Sequence, residues 1–381
     1  GLTNASAAHT VSIFYLENYR RWRIGPDPKD WNQRVLDWAV PEVREHKFSM
    51  IREICEHYDI DGFEMDFMRH PSYFKPELPG ERRAEIMTEY VRRVRELLDR
   101  TARAGGRRWL CIRLPASVAG HAALGLDVTA LVSAGADMFN LSSHYFTMQQ
   151  SDLARVRSMV PGAALYFEMT HTTATGRRLE PGYDSFAFSR TTAQQYATTA
   201  RLAYGDGADG MSLFNFVYYR KHGSAGRGPF NEPPFEILPR LSNRGWLGQQ
   251  PEWYFLAREW KDQLPIPKNL SRKLSVGQST RCSIIARPRA GGAGDGILRL
   301  MASRPHGGNV WRVLFNDSPL APVPFIEKPL DHPYDAGIGE PGQYACFALP
   351  RALVRAGDNQ IDVRLERGRV TDIQYIDFVL P

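Results

Sequence analysis

Two spacings of apolar residues alternate along the first two thirds of the chain. In PEVREHKFSMIREICEHY, 41–58, Phe48, Ile51, Cys55 and Tyr58 recur three or four apart, which predicts a helix with one apolar stripe. Pro41 suits its first turn. The segment DGFEMDF, 61–67, then predicts a buried strand on which Glu64 and Asp66 point the same way. A second helix is predicted over 82–103, with Ile86, Tyr90, Val94 and Leu97 inward and Gly105-Gly106 as its stop. Strands follow at RWLCIRLPA (108–116), ADMFNLSS (136–143), ALYFEMT (164–170) and DGMSLFNF (209–216). Between them come helical patterns near 127–134, in DLARVRSM with Ser151 as cap, and over 192–204 from a Thr cap.

Five apolar strands alternating with helices predict a parallel sheet with helices outside it. Asp66, Arg113, Ser142, Glu168 and Asn215 fall near the C-terminal ends of those strands, where the loops that crown a (β/α)₈ TIM-type barrel carry chemistry. An open doubly wound sheet is the competitor, and no G-x-G-x-x-G or Walker loop supports its nucleotide-binding form. A barrel takes eight strands. The segment YLENYRRWRIGPDPKDW reads as an irregular loop with aromatic anchors, so the first strands are expected to lie upstream of Gly1.

Beyond about residue 267 the helical runs stop. CSIIAR, ILRLMAS, WRVLFND, YACFALP, QIDVRLE and IQYIDFVL predict short strands, separated by turn signals such as Gly291-Gly292, Gly307-Gly308 and Gly357-Asp358-Asn359. This is the pattern of an all-β sandwich, jelly-roll-like, with PEWYFLAREWKD (251–262) as a helical connector and Leu264-Pro265-Ile266-Pro267 as a short linker. The expected domains are a catalytic barrel, 1–267, and an accessory sandwich, 268–381. Pro-rich short linkers favour a brace over a mobile binding module, and Trp311 is the visible hint of sugar binding in the sandwich.

Composition narrows the classes. With 381 residues, 43% apolar and 24% charged, the chain is ordinary globular material and long for one domain. The net charge of +6 is spread over helix faces such as Arg92, Arg93, Arg95 and Arg100, and no nucleic-acid-binding signature is present. No apolar run reaches the roughly 18 residues of a membrane span. Four cysteines without a C-x-x-C pair argue against a zinc or thioredoxin-like site, and the pairing of Cys282 with Cys346 stays open. The spacings of His and carboxylates match no metal motif, so neither metal nor cofactor is expected. A secreted or periplasmic location is slightly favoured over others.

Burying ionised carboxylates is expensive unless they are paired or used. Asp66 and Glu168, each at the end of a strand that can aim at a barrel axis, are the expected catalytic pair. Glycoside hydrolysis needs two such groups, one to protonate the leaving oxygen and one to attack carbon or activate water. A structural pair of Asp66 with Arg69 is the plainer alternative, as is an ion pair between Glu168 and Arg113. Glu64 lies deeper on the same face and is read as orienting Arg113 or supporting the site from behind, with the role of the acid itself as its rival. Arg69, His70, Arg113, His144, Tyr145, His171 and Asn215 complete the expected substrate-binding set, and several cations at one mouth point to an acidic sugar. Tyr73, Phe74, Tyr145, Phe146, Tyr218 and Tyr219 flank the same strand ends and offer faces for stacking on sugar rings. No G-x-S-x-G elbow occurs, and Cys111 sits mid-strand in an apolar run, which disfavours a serine or cysteine nucleophile.

The stretch YDIDGFEMDFMRHP, 58–71, resembles the strand DG-hydrophobic-acid-x-D-aromatic-x-R-x-P of glycosyl-hydrolase-like barrels in the family-ten-like group, nearest a bacterial branch. DWAVPEVREHKF, 37–48, and GPFNEPPFEIL, 228–238, add to the likeness, which covers roughly 20–240. The resemblance implies a (β/α)₈ barrel, action on polysaccharide, an earlier strand upstream of Gly1, and Asp66 as the motif acid. Glu168 has no comparable motif and rests on the strand geometry. The expected function is hydrolysis of a poly- or oligosaccharide, neutral or acidic, with a carbohydrate substrate, no nucleic acid and no membrane as partner, and the oligomeric state open. The alternatives are a non-catalytic carbohydrate-binding protein, or a uronate lyase with Tyr145 or His144 as base.

Overall fold

The protein is described by a computed structural model over residues 12–27, 29–30, 32–68, 71–178, 187–219, 232–258, 270, 272–303, 305, 307–326, 328–334 and 341–381. It contains mixed α/β structure: a five-stranded parallel sheet and separate antiparallel sheets. Two compact units divide it. Residues 12–144 and 152–167 form one, and 145–151 with the described residues from 168 onward form the other. Compactness thus groups 168–258 with the β-rich C-terminal stretch, whereas the change in composition falls near 267.

In the first unit, α1 (Ile13–Trp22) replaces the irregular loop expected there. Its N-cap is Ser12, whose hydroxyl accepts from the Tyr15 amide at 3.2 Å. Tyr15, Leu36 and Val43 bury together beneath Trp22 and Trp38. The next helix, α2 (Pro41–His57), begins on proline and buries Val43, Phe48, Ile51 and Cys55, while Tyr58 is its exposed C-cap. Strand β1 (Gly62–Asp66) follows, then α3 (Gly80–Arg100), which buries Ile86, Tyr90, Val94 and Leu97 as the spacing predicts. After β2 (Trp109–Pro115) come α4 (His121–Leu124), α5 (Val128–Ser133) and β3 (Met138–Ser142). The cap of α5 is Asp127, which accepts from the amides of Thr129 and Ala130. The N-cap of α6 (Leu153–Met159) is Asp152 and not Ser151; its carboxylate accepts from the Val118 amide at 2.8 Å.

Strand β4 (Ala164–Thr170) completes the ladder, and sheet order is β1-β2-β3-β4 with β7 (Gly210–Phe214) as the fifth strand. Alternation sorts its faces. Leu110, Ile112, Leu114, Phe139, Leu141 and Leu165 are fully buried on one. On the other, Asp66, Arg113, Asn140 and Tyr166 share one rung, and Glu64 and Cys111 share the rung two residues earlier. The expectation that β1 is buried holds for Met65 alone among its residues; Glu64 and Asp66 are exposed.

Gly62 is required by close approach. A Cβ there would meet the Trp109 carbonyl oxygen at 2.5 Å, within the β1–β2 pairing itself. Gly62→Ala is therefore expected to lower unfolding free energy by about 1–3 kcal/mol, read from urea midpoints at constant slope. An unchanged midpoint would mean that the two strands separate at no cost.

The second unit begins with an antiparallel pair, β5 (Thr172–Arg178) and β6 (Ala187–Arg190). Helix α7 (Ala193–Gly205) starts on a capping box: the Thr192 hydroxyl accepts from the Gln195 amide, and the Gln195 side chain accepts from the Thr192 amide. The helix expected at 251–262 is instead strand β8 (Glu252–Leu256), paired with the last strand of the chain. Residues 259–262 of that segment, and the linker 264–267, lie outside the described residues.

The remaining strands are β9 (Arg272–Leu274), β10 (Ser279–Ala286), β11 (Gly296–Ala302), β12 (Val310–Phe315), β13 (Ser318–Pro319), β14 (Pro322–Val323), β15 (Tyr344–Leu349), β16 (Gly357–Arg367) and β17 (Thr371–Leu380). They make two antiparallel sheets, β10-β16-β12-β13 and β14-β15-β11-β17-β8, with β9 on β17. Leu298, Leu300, Phe347 and Ile376 of one sheet and Ile284, Val313, Phe315 and Ile361 of the other belong to a single apolar core. Trp311 is partly buried and packs against that core. Cys282 and Cys346 are both buried free thiols, which answers the pairing left open by the sequence. Among the described residues no helix is long and apolar enough to cross a membrane.

Candidate functional site

The exits of β1, β2 and β3 build a polar constellation in the first unit. Asp66 is the last residue of β1, its side chain 38% exposed. Arg113, directly opposite on β2, is 3% exposed and donates from Nη1 to both Asp66 carboxylate oxygens at 2.8 Å. The Met68 amide donates to Asp66 Oδ1 at 2.7 Å. All three of these hydrogen bonds are ones Asp66 accepts, the pattern of an ionised carboxylate. Asp66 is ion-paired with Arg113 of the neighbouring strand. Arg69 and His70, the other basic residues expected here, lie outside the described residues.

Arg113 is itself fixed. Its Nη2 donates to the Ser142 hydroxyl at 3.0 Å, and that hydroxyl also accepts from the His144 amide at 3.0 Å. His144 reaches this position by adopting a left-handed backbone, φ 66°. Such a conformation is uncommon for a residue with a Cβ and persists only where surrounding contacts enforce it. Behind Asp66, Glu64 does not orient Arg113. Its Oε2 accepts from Asn140 Nδ2 and from the Cys111 thiol, each at 3.3 Å. Tyr73 packs beside the pair. Burial, then the Asp66 charge, pushes its phenol well above the ordinary range, with Arg113 opposing.

Asn140, Cys111 and Tyr166 were not among the sequence-predicted site residues, and Tyr73, expected as a stacking face, is buried. Asn140 had a signal: it precedes Ser142 by two residues and so shares its face. Cys111 is a thiol donor to Glu64 and no nucleophile. Burial raises its pKa, and the adjacent Glu64 carboxylate raises it further. At about pH 8 its thiolate fraction is therefore below that of a free cysteine, and a disulfide reagent is expected to modify it at least about 100-fold more slowly in the native protein than after unfolding. Equal rates would show that Glu64 does not hold the half-buried Cys111 thiol.

The other sequence-predicted residues belong to the second unit. Glu168, on β4, is buried, and so is His171 just past the strand end. The Tyr145 carbonyl accepts from the Thr170 hydroxyl at 2.7 Å, and the Tyr145 ring lies 5.9 Å from that of Phe214. His171 stands 6.4 Å, edge to face, from Tyr219, whose phenol donates to the buried Tyr196 hydroxyl at 3.3 Å. Asn215, at the exit of β7, takes φ 54°. Among the described residues, four without a glycine's freedom have left-handed backbone. Asn316 and Asp317 form the β12–β13 turn, and the other two, His144 and Asn215, follow strands of the parallel sheet. No group of three or more metal-ligating side chains is found among the described residues.

No protein-family model matches the chain. No curated protein matches it. Among solved structures it is similar to a β-porphyranase of glycoside hydrolase family 86 from the human gut bacterium Bacteroides plebeius, at 10% identity over 82% of this chain and 76% of that one, TM-score 0.27. It is also similar to the family 86 enzyme BuGH86 in complex with neoagarooctaose, at 10% identity over 81% and 68%, TM-score 0.24. A β-glucosidase from Paenibacillus barengoltzii matches at 11% identity over 91% of this chain and 39% of the other, TM-score 0.23. These neighbours are glycoside hydrolases, and TM-scores this low leave the activity of the present chain to be argued from its own residues.

Proposed function

We propose that this protein is a glycoside hydrolase acting on a poly- or oligosaccharide, with Asp66 and Glu168 as its two working carboxylates. The observation that carries the reading is the gripped, solvent-accessible carboxylate of Asp66 at the C-terminal end of a parallel strand. A charge set this way keeps its orientation while remaining open to a ligand, which is what a nucleophile or an oxocarbenium-stabilising group needs. Glu168 is the proposed partner acid. Glu64, Arg69, His70, Arg113, His144, Tyr145, His171 and Asn215 are proposed to contact or position sugar.

The fold that goes with this function is a (β/α)₈ barrel of the family-ten-like group over 1–267, with a jelly-roll-like sandwich, 268–381, as its accessory domain. The five-stranded parallel sheet supports it. The competing reading is a carbohydrate-binding protein without turnover, and the Asp66–Arg113 pair favours it insofar as an ion pair can be purely structural. Incubation with a panel of acidic and neutral polysaccharides separates the two. Release of new reducing ends supports the hydrolase, binding without product supports the alternative, and products that absorb in the ultraviolet would indicate a lyase. With a substrate in hand, the first-formed anomer reports retention or inversion, which correspond to carboxylate separations of about 5–5.5 Å and about 6.5–9.5 Å.

A further inference from the structure

Away from the strand exits, the helix layer of the first unit carries a groove of about 810 Å³ along α3, bordered by α2 and α5. Four arginines line it, and three of them are engaged. Arg82 pairs with Glu85 at 2.7 Å, Arg93 with Glu45 at 2.8 Å, and Arg92 with Glu89. Arg44 is different. Among the described residues no carboxylate lies within ion-pair distance of it, and its hydrogen bonding is one donation from Nη1 to the Trp38 carbonyl. A guanidinium has five N–H donors, so most of this one's capacity is unspent. Burial lowers its pKa first, and the charges of Arg82 and Arg93 lower it further, against a smaller pull from Asp37 and Glu42.

Tyr90 supplies the independent observation. It lines the same groove, is 2% exposed, and its hydroxyl has no hydrogen-bond partner. The ring is locked edge-on by Trp38 at 5.0 Å and Phe48 at 6.3 Å, so the hydroxyl cannot swing away to find one. A buried unpartnered hydroxyl is costly, and a half-buried cation crowded by other cations is too. One bound oxyanion relieves both.

We infer that Arg44 and Tyr90 form a binding site for one singly charged oxyanion, a carboxylate or a sulfate ester, carried on a molecule that occupies the α3 groove. Glu81, Glu85, Glu89 and Asp127 balance the four arginines, so attraction is local to the unpaired Arg44, whose one positive charge matches one negative charge. The planar fork of Arg44 fits two oxygens of either group. The site stands apart from Asp66 and does not rest on the hydrolase reading.

Calorimetric titration of the full chain tests it, with glucuronate, glucose 6-sulfate, glucose and inorganic phosphate as probes. One or both of the first two are expected to bind and glucose is not; the stronger of the two identifies the group. Arg44→Gln is expected to weaken binding at least about 10-fold, Arg44→Lys less because it keeps the charge and loses the fork, and Tyr90→Phe about 5-fold. Asp66→Asn is expected to leave it unchanged. Should Arg44→Gln fail to fold, Arg44→Lys and Tyr90→Phe carry the comparison. Failure of both monoanions to bind, tighter binding of phosphate, indifference to the Arg44 and Tyr90 changes, or loss in Asp66→Asn would each overturn the site.

Discussion

Asp66→Asn is expected to lower hydrolytic turnover at least about 10³-fold, equivalent to roughly 4 kcal/mol of lost transition-state stabilisation. Asparagine keeps the size and one acceptor oxygen. It loses the charge, and it turns an amide toward the Arg113 Nη1 that now donates to both oxygens. The folded state is expected to survive, because the Asp66 side chain is 38% exposed and the change strips compensation from one buried guanidinium at a cost of about 1–3 kcal/mol. The control is Arg113→Met, which removes the buried cation and leaves a solvated carboxylate behind. If Asp66 works chemically, Asp66→Asn is far more damaging to turnover than to stability, and Arg113→Met lies between. If the pair is only a brace, activity in both variants follows the folded fraction. Wild-type turnover in Asp66→Asn would remove this carboxylate from any mechanism.

Much of this constellation was legible because strands alternate with period two. Once DGFEMDF and RWLCIRLPA are read as parallel neighbours, Asp66 and Arg113 fall on one face near one end. What the pattern could not give is register. The pairing Asp66↔Arg113↔Asn140 decides that Arg113 meets Asp66, that Glu64 meets Cys111 and Asn140, and that Ser142 lies one step further out. Nor does a one-dimensional pattern show that the His144 backbone turns left-handed to bring its amide to Ser142.

The two misread elements fail for a common reason. A short apolar run has no decisive period, so WYFL within PEWYFLAREWKD fits a helix or a strand equally, and only its ladder with β17 settles it as β8. At the other end of the chain, YLENYRRWRIGPDPKDW looked irregular because its apolar residues keep no single helical face. The Ser12 cap starts a helix there, and Ile13 and Leu16 stay on its exposed side. In the second unit, by contrast, the turn glycines located the strands well. Gly307 and Gly308, between β11 and β12, have positive φ, where a side chain would be strained, whereas Gly357-Asp358-Asn359, expected as a turn, instead opens β16 opposite Ile284, Ile285 and Ala286.

The largest stability effect is expected at Asp377, within the second unit. Arg299 on β11 and Asp377 on β17 face each other in register, 1% and 0% exposed. Arg299 donates from Nε to Oδ1 at 2.9 Å and from Nη2 to Oδ2 at 2.5 Å, a two-pronged fork, and Trp253 Nε1 donates to Oδ2 at 2.9 Å. The guanidinium also lies over the Trp253 and Tyr344 rings, at 5.5 and 5.2 Å from their centres. Asp377→Ala strands that cation among aromatic rings with no anion and leaves the indole N–H without its acceptor. The expected loss is about 3–5 kcal/mol, read from urea unfolding. Most of that is the penalty of an uncompensated charge, not the worth of the pair, so Arg299→Met combined with Asp377→Leu is expected to recover more than half of it. A double variant no more stable than Asp377→Ala would instead mean that the pair itself, through its geometry with Trp253, holds β8, β17 and β11 in register.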